Sequence, residues 1–182
     1  QINGCYNAVD CHVKAGHGAR PAIIYDSAIT GASQTITYGE LQDRVARMAG
    51  VLQAHHIGYR DRVIIYMPMI PEALVSMLAC ARIGAIHSVV FGGFASAELA
   101  KRIDDATPKM IITASCGLEP GRIVEYKPLV DEAIELSSHK VSSVVLYQRP
   151  QCQADMEAGR DFDWDAEMSV AQPTEIVPVK SE

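Results

Sequence analysis

The sequence has no run of roughly 20 apolar residues, because Glu72, Arg82 and His87 interrupt its most hydrophobic region, so no membrane span is predicted. It also has no basic stripe. Sixteen Lys and Arg against 22 Asp and Glu leave a net charge of −6, which argues against nucleic acid as a partner and means that an anionic ligand needs a local cation. The five cysteines, Cys5, Cys11, Cys80, Cys116 and Cys152, are odd in number and contain no C-x-x-C pair. That pattern fits reduced thiols in an intracellular compartment better than a disulfide framework or a zinc site. Internal repeats, low-complexity tracts and long charge blocks are lacking. The chain opens at Gln1 without an initiator Met, so any targeting segment is expected to have been removed or not included.

What is present is enough for a core: a chain of 182 residues, 48% hydrophobic, can bury roughly 70% of its unfolded surface. Asn3 is positioned to cap a helix running to about Val13, which the Gly16–Gly18 stretch would stop. Ala22–Tyr25 and Gln34–Thr37 are β-rich runs that predict a hairpin across the polar loop between them. Thr37-Tyr38-Gly39-Glu40 has the T-x-x-E form of a capping box. The helix after it carries Leu41, Val45, Met48, Ala49 and Leu52 on one apolar stripe, with Asp43, Arg44 and Arg47 facing outward. From Arg62 the pattern becomes regular: Val63–Tyr66, Ile86–Val90, Met110–Thr113 and Val144–Tyr147 are short apolar runs. Helices are predicted between them at Glu72–Ile83, Ala97–Asp105 and Leu129–Ser137, with Ser96 as an N-cap. Strand and helix in alternation imply right-handed crossovers and an α/β fold, with a mostly parallel sheet and helices on both faces. The expected division is residues 1–58 for the helix, hairpin and capped helix, and 59–182 for the parallel-sheet subdomain.

Two loops carry the functional signal, Phe91-Gly92-Gly93-Phe94 and Glu119-Pro120-Gly121-Arg122. Each follows a buried-looking strand, so both are expected to open on one edge of one parallel sheet, where α/β folds bind nucleotide-like ligands. The alternative is that Gly and Pro merely punctuate loops. Other residues give weaker signals. His87 lies in an apolar strand and is expected to be a core histidine with a hydrogen-bond partner. Asp104 and Asp105 are neighbours on a helix and do not converge as a carboxylate pair. Asp161, Asp163 and Asp165, with Trp164, are read as a solvated acidic loop entering a helix. Met67 and Met69 flank Pro68 and are expected to fill space beneath the next helix, which Pro71 starts.

Val63-Ile64-Ile65-Tyr66-Met67-Pro68-Met69-Ile70-Pro71-Glu72-Ala73 and the run from Met77 through Gly84-Ala85-Ile86-His87-Ser88-Val89-Val90-Phe91-Gly92-Gly93-Phe94 closely resemble the AMP-forming short-chain acyl-CoA synthetases. These are the acetyl-CoA and propionyl-CoA synthetases of the adenylate-forming superfamily. The likeness extends over nearly the whole chain, and Gly117–Arg122 followed by Glu125–Val130 looks more like the propionyl-CoA branch. The resemblance implies an intracellular enzyme of the mitochondrial matrix or cytoplasm. Its reaction would join propionate, or another short carboxylate, to CoA at the expense of ATP, releasing AMP and pyrophosphate through an acyl-adenylate. The alternatives are an acetate–CoA ligase and a catalytically silent CoA-nucleotide-binding or structural fragment.

The same resemblance implies that the phosphate loop, which in the family follows a segment like Val177–Glu182, lies further on. So do the acyl pocket, the Mg²⁺ ligand and the C-terminal domain. The chain is therefore expected to be the N-terminal portion of a longer enzyme whose remainder is its partner, and inactive alone. No catalytic or metal residue is assigned in it. ATP, CoA and Mg²⁺ are expected for the whole enzyme, with none fully bound here. The part implied for this chain is the CoA-nucleotide site: Phe91, Gly92 and Gly93, with Glu119, Pro120, Gly121, Arg122 and nearby Val124. Acetyl-type members carry a basic residue where Glu119 stands, which leaves Arg122 as the main local cation for the 3′-phosphate. The alternatives are that Phe91 and Phe94 simply pack and that Arg122 pairs with Glu125.

Overall fold

The computed structural model describes residues 2–180. Ser181 and Glu182, the end of the segment expected to precede the phosphate loop, lie outside the described residues. Two compact units emerge: one formed by the chain up to Arg60, Ile70–Ile86 and the segment from Ala171 onward, the other by Asp61–Met69 and His87–Val170.

The first unit begins with helical turns of wide, π-type geometry at Tyr6–Asp10 and Val13–His17. Asn3 caps them as predicted, its Oδ1 accepting from the amides of Cys5 and Tyr6 at 2.9 and 3.2 Å. Gly16, at φ 82°, breaks the helical path. The expected hairpin is present as β1 (Pro21–Ser27) and β2 (Ala32–Thr37), paired antiparallel. The capping box starts α1 (Tyr38–Ala54): Thr37 Oγ1 accepts from the Glu40 amide, and Glu40 Oε2 accepts from the Thr37 amide at 2.7 Å. All five residues of the predicted stripe are buried, and α1 packs on α2 (Pro71–Ile83). At the end of α2, Arg82 is buried against Asp10, with Nη1 3.0 Å from Oδ2. Its Nε donates to the Thr174 carbonyl at 2.6 Å. Asn3 Nδ2 donates to the carbonyls of Ala81, Arg82 and Val177, so the first turn, the end of α2 and the 174–177 segment are stitched by hydrogen bonds.

The second unit contains β3 (Arg62–Met67), β4 (Ile86–Phe91), α3 (Ser96–Ala106), β5 (Met110–Ala114), β6 (Cys116–Glu119), β7 (Arg122–Glu125), α4 (Tyr126–Leu136), β8 (Ser143–Tyr147), β9 (Asp161–Asp163) and α5 (Trp164–Val170). Five strands form one sheet in the order β4-β3-β5-β8-β9, with β3–β5, β5–β8 and β8–β9 in parallel register. The near-continuous apolar character of β3, β5 and β8 follows from burial on both sides of a parallel sheet; every residue of β5 is buried. Helices flank this sheet, so the fold class is the α/β class predicted. Helices α3 and α4 pack against each other, and Leu99, Ile103 and Val130 join Ile64, Tyr66 and Ile111 in one core.

Several local expectations are corrected. His87 is exposed on the edge strand β4, along with Ile86, Val89 and Phe91. Met67 is buried but Met69 is 86% exposed. Ser96 is the first helical residue rather than the cap, and its Oγ donates to Glu132 at 2.5 Å. Helix α4 starts three residues before Leu129 because Pro128 falls in its first turn, where a missing amide proton costs nothing. The acidic loop is not uniformly solvated. Asp163 Oδ1 accepts from the Ala166 amide at 2.9 Å at the start of α5, and Asp161 is buried. Asp161 lies 2.8 Å from Lys127 Nζ and 2.7 Å from Arg160 Nε, and Asp131 pairs with both cations.

Candidate functional site

The Gly92-Gly93 loop leaves the end of β4, as the sequence implied. The Glu119–Arg122 loop does not open from the parallel sheet. It is the tip of a separate antiparallel hairpin, β6–β7, that grows from the end of β5 through Ser115. Pro120 and Gly121 supply the turn, with Gly121 at φ 78°, the pattern of a type II turn.

Tyr126, the first residue of α4, gives the two loops a common reference. Its amide donates to the Ser115 carbonyl at 2.9 Å, closing the base of the hairpin. A Cβ added at Gly92 or at Gly117 would run into the Tyr126 ring and hydroxyl. These glycines therefore permit close approach to one aromatic ring. Tyr66 sits beside it, with ring centroids 5.0 Å apart. The Tyr66 hydroxyl donates to the Phe94 carbonyl at 2.9 Å and accepts from the Gly93 amide at 3.2 Å, so a core side chain holds both sides of the glycine loop. Burial is the main reason both phenols titrate above their ordinary range, Tyr126 being pushed up to about 12. They remain neutral at physiological pH and act as fixed hydrogen-bonding and packing groups.

The outward groups are different. Phe91 is 70% exposed and Phe94 39%, with ring centroids 6.0 Å apart in an edge-on arrangement. Phe91 thus presents an aromatic face beside Gly93, whose φ of 118° favours glycine. Arg122 is exposed and pairs with Glu119, Nε to Oε2 at 2.7 Å, across the hairpin tip; the alternative partner, Glu125, lies at the other end of β7. The hydrogen bond to Glu119 raises the guanidinium pKa further and holds the carboxyl below its usual range. The tip is a neutral, solvated ion pair in this state. Val124 packs against the core and anchors the hairpin.

Tyr66, Gly117 and Tyr126 were missed by sequence reasoning. The available signal was Gly117 alternating with apolar neighbours in a short strand; its convergence with Gly92 depends on tertiary pairing. A cavity of about 500 Å³ opens beside the hairpin base, lined by Ser115, Glu125, Lys127, Asp131 and Cys152 among others. It excludes both loop tips. Among the described residues, no group of three or more His, Cys, Asp or Glu converges to hold a metal ion, and no helix is long and apolar enough to cross a membrane.

The parallel sheet flanked by helices, with a glycine loop at the end of β4 and a separate hairpin after β5, places the chain in the α/β class. The chain belongs to the AMP-binding enzyme family, whose pattern it matches over residues 12–181. It is 55% identical over 182 residues to the human mitochondrial acyl-CoA synthetase short-chain family member 3, covering all of this chain and 26% of that protein. It is 54% identical over 181 residues to an uncharacterized protein of Pseudomonas aeruginosa, covering 29% of it. Against the acetyl-coenzyme A synthetase of Streptomyces avermitilis the identity is 45% over 178 residues, covering 98% of this chain and 27% of that enzyme. The chain thus spans little more than a quarter of the length of these relatives.

Proposed function

We propose that this chain is the N-terminal portion of an AMP-forming short-chain acyl-CoA synthetase, acting on propionate or a similar carboxylate with ATP and CoA. Its helix–hairpin part is residues 1–58 and its sheet subdomain lies within residues 59–182, from which Ile70–Ile86 and the segment from Ala171 onward join the first compact unit; the compartment is the mitochondrial matrix or the cytoplasm. High identity to a short-chain acyl-CoA synthetase along the full chain supports the reaction class. The character of Gly117–Val130 is the argument for propionate.

The chemistry explains the division of labour. A carboxylate resists thiol attack because its carbon is electron-rich and oxide is a poor leaving group. Transfer to AMP, with loss of pyrophosphate, gives an anhydride from which the CoA thiol displaces AMP. The first step requires charge neutralisation around the phosphates, which Mg²⁺ supplies when bound. We assign that machinery to the rest of the enzyme. The second step requires the thiol to be held in line, and affinity for the remote CoA nucleotide contributes that positioning.

The observation that carries the reading is the shared seating of the Gly92-Gly93 loop and the hairpin on Tyr126. It sets exposed Phe91 and the backbone of Gly92 and Gly93 to receive a flat base, while Glu119, Pro120 and Gly121 present Arg122 to the 3′-phosphate and Val124 steadies the strand. In the free state Glu119 occupies Arg122, so the phosphate must compete for the guanidinium.

The test is to assay the full-length enzyme with acetate, propionate and butyrate, following pyrophosphate exchange and thioester formation separately. A CoA-dependent thioester with kcat/KM highest for propionate is expected. Higher kcat/KM for acetate would replace propionate as the substrate, and failure of both half-reactions with every acid would favour the silent binding module.

A further inference from the structure

Two cysteines that play no part in the proposed reaction are brought together where β5 passes into β6. The Ser115 amide donates to the Tyr147 carbonyl at 2.9 Å, and Ser115 Oγ accepts from the Arg149 amide at 2.8 Å. Arg149 Nη1 then donates to the Cys116 carbonyl at 3.2 Å. Arg149 and Cys152 close a tight turn through a backbone bridge, the Cys152 amide donating to the Arg149 carbonyl at 3.3 Å. These tethers fold the turn over the first residue of β6.

The two thiols differ in access. Cys152 is partly exposed and lines the 500 Å³ cavity, whereas Cys116 is fully buried. We propose that Cys116 and Cys152 form a redox modification site, a thiol pair that peroxide converts to an intramolecular disulfide.

The Cys152 thiolate attacks one oxygen of hydrogen peroxide; the O–O bond breaks, hydroxide leaves and takes up a proton, and Cys152 becomes a sulfenic acid. The Cys116 sulfur then attacks the Cys152 sulfur. The S–S bond forms, the S–O bond breaks, and the second water leaves with the proton from Cys116. Two thiols and one peroxide give one disulfide and two waters.

Order of attack follows from the surroundings. Burial pushes the Cys116 thiol up, against the opposing pull of the Arg149 guanidinium, which suits it to resolving a sulfenic acid rather than meeting peroxide first. Cys5 and Cys80 are held as thiols by burial, at about 11 and about 12, and both lie in the other unit. The product would fasten the base of the β6–β7 hairpin to the turn after β8.

The test treats the full-length protein with hydrogen peroxide, blocks remaining thiols with an alkylating reagent, and maps peptides without reduction. A Cys116–Cys152-linked peptide is expected, lost on treatment with dithiothreitol. Cys152→Ser, at a partly exposed position, should fold, give no linked peptide and leave Cys116 open to alkylation after unfolding. Recovery of both cysteines as alkylated thiols from oxidised protein would overturn the proposal, as would linkage of Cys116 to Cys5, Cys11 or Cys80. The readout is covalent and independent of which carboxylate the enzyme activates.

Discussion

A methyl group at Gly117 would have to share space with the Tyr126 ring, and one at Gly92 meets the same ring from another element. Overpacking of this kind costs about 1–3 kcal/mol where the neighbour is held on several sides, and Tyr126 is held by Tyr66 and by the hairpin base. Gly117→Ala should therefore lower stability by about that amount in denaturant unfolding. Combined with Tyr126→Ala, its cost should fall well below the sum of the two single changes, because the second change empties the contested space. Strict additivity would show that the ring does not confine Gly117. The glycine pair after β4 was legible as a loop at the sheet edge, because Gly-Gly following an apolar run ends a strand. Tyr66 and Tyr126 were not, since nothing local in the sequence distinguishes a tyrosine that holds a loop from one that fills a core.

The elements with local determinants were legible: the capping box of α1, the β1–β2 hairpin, and the buried strands β3, β5 and β8. The β6–β7 hairpin was hidden because its strands are only four residues each and its turn resembles a strand-to-helix loop. The acidic segment was misread for a similar reason, as charge alone does not reveal that Lys127 of α4 reaches Asp161 of β9. This junction has a pH signature. Although burial opposes ionisation of Asp161, hydrogen bonds from Arg160 and Lys127 outweigh it and hold the carboxyl below its ordinary range. Its contribution is thus fully present above the unfolded value of about 3.9 and disappears as pH falls through the lower folded value. Asp161→Asn should cost about 3–5 kcal/mol near neutrality, by leaving buried cations undercompensated. Urea unfolding from pH 7 down to pH 2 should show the gap between variant and wild type closing only at the acid end; a gap independent of pH would contradict the ion-pair account.

At the scale of the whole molecule, β4 is an edge strand carrying exposed Ile86, Val89 and Phe91. An edge of this kind invites pairing and association when nothing covers it. The isolated 182-residue chain should self-associate, visible as concentration-dependent mass in light scattering, and should show no ATP–pyrophosphate exchange with propionate. A monomer at high concentration would contradict the first expectation, and robust exchange by the homogeneous chain the second. The mostly parallel sheet was legible because short apolar runs alternate with helical ones, whereas its last strand, β9, was hidden in the acidic segment. The two loops were expected on one edge, but the seating of Gly92 and Gly117 on Tyr126 was not legible, because it arises from the packing of α4 against strand ends.

The central claim is that these loops hold the CoA nucleotide for thioester formation, and Arg122 tests it most directly. In the full-length enzyme, Arg122→Ala should leave acyl-adenylate formation, read by pyrophosphate exchange, nearly intact, because no CoA takes part in that step. Thioester formation should require about tenfold to a hundredfold more CoA, the range expected for one charge-assisted contact. With dephospho-CoA, wild type and variant should become similar, since the group that Arg122 reads is gone. Equal loss of pyrophosphate exchange and thioester formation in the variant, or an undiminished difference with dephospho-CoA, would contradict the account.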